Sequence, residues 1–169
     1  MKITDVKLFL VDDFGPKVYV KIETDEGISG YGESTIFFMP QAPYGLLKDL
    51  KPYLIGEDPE RIEYIWQICY RSLFYRGGPV TGAAIAGIDM ALWDIKGKAL
   101  GVPIYELLGG KLRDKVRAYA NAWAFQKVVT QMTAEDTPDS IAENALKMVD
   151  KGFTAMKWDP FREGGQVIP

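Results

Sequence analysis

Histidine is absent from these 169 residues. That removes metal sites built on imidazole, Ser-His-Asp and Cys-His nucleophile systems, and the usual acid–base group near neutral pH. Chemistry within the chain must rest on carboxylates, lysines or backbone amides. Cysteine occurs once, as Cys69, so no internal disulfide can form, which fits a reducing compartment. No apolar run approaches the roughly 18 residues of a membrane helix. The start, MKITDVKLFLVDD, is too short and too often interrupted by charge for a signal peptide. A surplus of either charge is also lacking. Twenty basic and 23 acidic residues are interspersed to a net −3, which recommends neither nucleic acid nor an anionic membrane as a partner. A cytoplasmic location is expected.

What is present reads as a globular chain, since 47% hydrophobic residues suffice for a core. The first 34 residues read as three antiparallel strands. In KVYVKIET, Val18, Val20 and Ile22 alternate with Lys17, Tyr19, Lys21 and Glu23. TDEG supplies a turn, and ISGYGES is a glycine-broken third strand. In EDPERIEYIWQICYRSLF, Asp58 is expected as N-cap with Pro59 at the first helical position. Ile62, Ile65, Trp66, Cys69 and Leu73 form its buried stripe, so Cys69 reads as a small core residue. YRGGPVTG reads as a loop, whose Arg76 either meets an anion or stays on the surface.

AAIAGIDMALWDIKGKALG is an unusual helix. Ala84, Gly87, Ile88, Ala91, Leu92 and Ile95 fall on one side, small alternating with large, which suggests a helix wedged against several neighbours. Asp89 and Asp94 lie five apart, roughly 140° around the helix, and do not converge as a carboxylate pair. Capping or salt bridging is expected of both. Gly101 ends the helix and Pro103 starts a short sequel.

From about residue 114 the character changes. KVRAYANAW reads as a strand. Thr137 and Pro138 open a helix striped by Ile141, Ala142, Ala145, Leu146 and Val149, Gly152 ends it, and FTAMKWD is a second strand. A βαβ unit requires a parallel sheet. Parallel α/β folds carry their sites at the carboxyl ends of strands. Lys157 and Asp159 stand at such an end on one face, about 6.6 Å apart. Either they close a salt bridge or they address one small anionic or hydroxylated molecule.

The run AIAGIDMALWDIKGKALGVPIYELLG resembles the signature of the mandelate racemase and muconate lactonizing branch of the enolase superfamily. It is carried by Ala84, Ala86, Gly87, Ile88, Asp89, Ala91, Leu92, Asp94, Gly97, Lys98, Pro103, Leu107 and Gly109. TDEGISGYGES and GFTAMKWD fall in the family's order, and FYRGGP is especially similar to acid-sugar dehydratases such as galactonate and gluconate dehydratases. The resemblance implies an α+β capping domain over residues 1–113, an antiparallel three-stranded meander plus helices. It implies that residues 114–169 form the first βαβ portion of a TIM-type (β/α) barrel. It also implies Mg2+, proton abstraction next to a substrate carboxylate, and a homo-oligomer. The metal ligands, three carboxylates on later strands, are expected beyond residue 169, so no metal ligand is assigned in this chain. Cap loops at residues 12–16 and 33–44 are expected to face the small-molecule carboxylate substrate through Phe14, Ser34, Phe37 and Phe38, with Arg76 as a further contact.

Many family members carry Lys-x-Lys where this chain has Lys157-Trp158-Asp159. The resemblance leaves Lys157 to neutralise the substrate carboxylate or its enediolate, and Asp159 to contact substrate or orient Lys157. Without a second lysine, a dehydratase yielding a 2-keto-3-deoxy acid is favoured over a racemase, epimerase or cycloisomerase. A truncated, non-catalytic association domain is the alternative of another class.

Overall fold

The computed structural model describes residues 1–12, 15–121, 123–124 and 137–158. The chain divides into two compact units, Met1–Lys111 and Leu112–Pro169. In the first, β1 (Ile3–Asp12), β2 (Pro16–Thr24) and β3 (Ser29–Glu33) form an antiparallel meander in chain order. Val18, Val20 and Ile22 are fully buried, as their alternation with polar neighbours requires. β1 departs from strict alternation, since Ile3 and Val6 are both buried. A register shift between Ile3 and Asp5 is the cause, because one irregular step re-aims the side chains beyond it.

α1 (Gln41–Leu54) and α3 (Gly78–Leu100) pack on the inner face of the sheet, and α2 (Ile62–Arg71) packs on those two helices. A short α4 (Ile104–Leu107) follows Gly101, whose left-handed conformation ends α3. Ala84, Gly87, Ile88, Ala91, Leu92 and Ile95 are all buried in one core with the sheet and with Leu47, Leu50, Leu54, Ile65 and Cys69. The small residues of α3 bring backbones together. A Cβ on Gly32 would lie 1.9 Å from the Gly87 carbonyl oxygen, and one on Gly30 would lie 1.9 Å from that of Ala91. Glycine is the only residue that either strand position can hold at this spacing.

Three features of this unit differ from the sequence reading. α1 was not expected: Pro43 and Pro52 interrupt its pattern, yet Leu47, Leu50 and Leu54 at helical spacing are all buried. Pro43 falls in the first turn, where no helical hydrogen bond is lost, and burial of three leucines, each worth about 1.5–3 kcal/mol, outweighs the cost of about 3 kcal/mol for Pro52 inside the helix. Asp58 does not cap α2. Its Oδ1 accepts the Glu60 amide in a separate turn, and Arg61 (φ −84°, ψ 54°) breaks away from helical geometry before α2 begins. YRGGPVTG is only partly a loop, because α3 starts at Gly78 with Pro79 in its first turn.

In the second unit, α5 (Pro138–Asp150) opens with a capping box. The Thr137 hydroxyl accepts the Ser140 amide, and Ser140 Oγ accepts the Thr137 amide. It ends with Gly152 donating to Val149 and Phe153 donating to Met148. The segments on either side of it meet in one parallel bridge, Ala120 with Met156. Ala120 donates to the Ala155 carbonyl at 2.9 Å and the Lys157 amide donates to Ala120 at 2.8 Å. The expected helical stripe is narrower than its sequence: Ile141 is buried and Ala145 half-buried, while Ala142, Leu146 and Val149 are exposed. A two-segment bridge offers too little surface to cover a full helix face.

Candidate functional site

Lys157 is held by backbone on both sides. Its amide donates to Ala120, and its carbonyl accepts the indole N–H of Trp123 at 3.0 Å. Trp123 lies against Trp158 with ring centres 5.9 Å apart. Upstream, Arg117 donates to both the hydroxyl and the carbonyl of Thr154, tying the two parallel segments at their amino ends. The Lys157 side chain is exposed, and its ammonium makes no hydrogen bond or ion pair among the described residues. It is a point charge on a flexible stem at the carboxyl end of a parallel segment, available to an anion. Asp159, its expected partner, lies outside the described residues.

The two cap loops named from the sequence are adjacent. A Cβ on Gly15, between β1 and β2, would stand 4.0 Å from Phe37 Cε2. Phe37 and Phe38 pack edge to face with ring centres 4.5 Å apart, and both rings remain exposed, 54% and 65%. Phe38 takes a left-handed backbone (φ 67°), a conformation that costs a bulky residue about 1 kcal/mol or more. With Met39 also exposed, the loop presents a short apolar surface that folding of this unit leaves uncovered. Phe14 lies outside the described residues.

Ser34 is placed differently from Phe37 and Phe38. It is 0% exposed, and its hydroxyl occupies the volume that a Cβ on Gly87 would need, 1.9 Å away. That hydroxyl has no hydrogen-bond partner among the described residues. Its neighbour Thr35 instead accepts the Val18 amide at 3.0 Å. Arg76 is exposed on the connection between α2 and α3, beside Phe74 and Tyr75, whose rings are 5.2 Å apart and nearly bare.

The two α3 carboxylates have separate roles. Asp94 Oδ2 accepts the Tyr31 amide at 3.0 Å and the Lys98 ammonium at 2.7 Å, so it pins α3 to β3 as a salt-bridging residue. Asp89 departs from the same expectation: it caps nothing and pairs with no cation among the described residues. It is half-buried, and loss of water together with nearby Glu63 holds its carboxyl above the usual aspartate range. Cys69 is fully buried in the core, and burial pushes its thiol up to about 11.

Among the described residues no group of three or more Asp, Glu, Cys or His side chains converges as a divalent-cation site would require. The residues described therefore do not fit Mg2+, and no step through a metal is derived from them. No described helix is long and apolar enough to cross a membrane.

Comparison with known proteins places these features in a family. Residues 14–109 match the amino-terminal domain of the mandelate racemase / muconate lactonizing enzyme family. The D-galactonate dehydratase of Pectobacterium atrosepticum is 45% identical over 168 residues, 99% of this chain and 40% of that protein. A solved member of the enolase superfamily from Salmonella Typhimurium superposes with TM-score 0.82 at 42% identity, over 94% of this chain and 42% of its own. An enolase from Pantoea ananatis, solved with bound D-gluconate and Mg, superposes with TM-score 0.77 at 39% identity, over 92% of this chain and 35% of its own. The chain thus spans about two fifths of the length of such relatives.

Proposed function

Because the chain belongs to the mandelate racemase / muconate lactonizing enzyme family and carries its amino-terminal capping domain, we propose that it is the amino-terminal part of a Mg2+-dependent acid-sugar dehydratase. The observation that carries this reading is the 45% identity to a D-galactonate dehydratase over 99% of this chain, beyond the cap and through Lys157. In this reading residues 1–113 form the cap and residues 114–169 begin the barrel. The reaction removes the proton next to the carboxylate of an aldonate-like substrate and expels water, leaving a 2-keto-3-deoxy acid. Carbanion character next to a carboxylate is unfavourable, so a nearby positive charge lowers the barrier.

Lys157 supplies such a charge. Its ammonium holds the substrate carboxylate and balances the second negative charge as the enediolate develops. Asp159 orients Lys157 or receives a substrate hydroxyl. Phe37 and Phe38 close over the carbon chain and exclude water, with Phe14 and Arg76 as further contacts. Ser34 acts on substrate only if the sheet–helix contact that buries it opens.

The test is an assay of D-galactonate and D-gluconate dehydration, with and without chelator, in a polypeptide in which this chain is continued to the length of its relatives. A charge-assisted contact of about 1.5–3 kcal/mol corresponds to a loss of about 10- to 150-fold in kcat/KM for Lys157→Met. Turnover unchanged by Lys157→Met would remove the assignment of Lys157. Turnover of neither acid would remove the dehydratase reading for these substrates.

A further inference from the structure

A cavity of about 260 Å3 lies between α2 and the first three turns of α3, and its lining includes none of Phe37, Phe38 and Met39. Trp66 and Tyr70 form one wall, stacked with ring centres 5.1 Å apart and planes within 19°. Gly78, Gly82 and Ala86 form a floor without projecting side chains. A Cβ on Gly82 would meet nothing within 4 Å, so the smallness of that residue serves no packing neighbour in this unit.

Two polar side chains line this space. Thr81 is 7% exposed. Asp89 is the half-buried carboxylate that neither caps nor pairs. A lone carboxylate beside aromatic faces is unfavourable when empty and complementary to a cation, because the ring quadrupole and the carboxylate attract the same sign. Glu63 adds negative potential from α2. The positive amino end of α3 is eleven residues from Asp89, about 16 Å along the axis, too distant to oppose a charge there.

We propose that this cavity binds an alkylguanidinium or alkylammonium group, with the charged head on Asp89 and the aliphatic stem across Trp66, Tyr70 and the glycine floor. Such a head has two sources, a free amine or the arginine or lysine side chain of a second copy of this chain. A neutral ligand of the same shape would leave the carboxylate unpaired and lose most of the affinity.

The probe is n-butylguanidinium, titrated into the chain while the indole N–H resonance of Trp66 is followed by NMR, with n-butylurea as the neutral isostere. Saturable binding with a Kd in the millimolar range is expected, weakened at least tenfold by Asp89→Asn and at least tenfold for butylurea. Trp66→Leu serves as a second variant that keeps the carboxylate and removes the stacking face, and should also weaken binding. Sedimentation in parallel separates the sources: a dimer dispersed by the probe identifies a side chain of a second copy, and binding to a monomer identifies a free amine. Equal affinity of parent and Asp89→Asn, equal affinity for butylurea, or no saturation with no change in sedimentation would each overturn the proposal.

Discussion

The contact between β3 and α3 makes a quantitative prediction at Gly32. An alanine Cβ there would fall 1.9 Å from the Gly87 carbonyl oxygen and 2.8 Å from its carbon. Ordinary contact begins near 3.4 Å, so strand and helix would have to part by about 1.5 Å (3.4 − 1.9). Both clashing partners are backbone, so no rotamer change relieves them. Overpacking of a core costs about 1–3 kcal/mol, and this case belongs at the upper end because Val20, Ile22, Ile88 and Leu92 share the interface. Replacing glycine in a strand returns about 0.5–1 kcal/mol, leaving a net loss of about 2 kcal/mol. For a unit of this size that corresponds to a melting temperature lower by about 10 °C. Urea unfolding of parent and Gly32→Ala measures it as a lower midpoint at unchanged slope. Gly45→Ala is the control, since that glycine lies in α1 with nothing within 4 Å and should gain about 1 kcal/mol. If Gly32→Ala stayed within 0.5 kcal/mol of the parent, the backbone contact would not be as close as described and the packing argument would fall.

Other perturbations follow from the same structure. Ser34→Ala should raise stability by about 1 kcal/mol, because it removes a buried hydroxyl without a partner; a lower urea midpoint would mean the hydroxyl is bonded. Cys69, with its thiol moved from 9.0 up to about 11, holds thiolate about 100-fold scarcer than a free thiol at neutral pH, and should react with a thiol dye only after urea unfolds the unit. Asp89 has a folded pKa above its ordinary 3.8, so the unfolded chain gives up this proton first as pH rises. Its contribution is therefore fully present below 3.8 and lost as pH climbs through the folded value. Asp89→Asn should gain on the parent in urea midpoint from pH 3 to pH 6, and a constant difference across that range would contradict the burial of the carboxylate.

Much of the cap was legible because its patterns are strong and local. The alternation of β2 and the small–large stripe of α3 each specify one buried face, and both are buried as read. The family resemblance read from the α3 run agrees with the domain match. Where tertiary burial overrides local signals, the sequence misled. Prolines concealed α1, and Asp58 looked like a cap although Arg61 breaks the chain path before α2. A register shift in β1 cannot be seen from composition, so the burial of Val6 beside Ile3 was not anticipated. For the site, Gly15 lies beside Phe37, while the inward turn of Ser34 depends on a glycine 53 positions later (87 − 34). The cavity under Trp66 and Tyr70 was visible only as Gly82 and Ala86 at helical spacing, a signal shared with any tightly packed helix.

The seating of Ser34 in the hollow left by Gly87, and of the Gly87 carbonyl against Gly32, links three positions into one substitution unit. A side chain gained at 87 requires atoms lost at 34, and any growth at 32 displaces 87 from both. Across divergent sequences these positions should drift together or not at all, so a graft that exchanges β3 between relatives must carry its matching turn of α3. The same linkage restricts how a designer can retune the adjacent Phe37–Phe38 loop. Its tip is open to variation, but its root at Ser34 is shared with the helix.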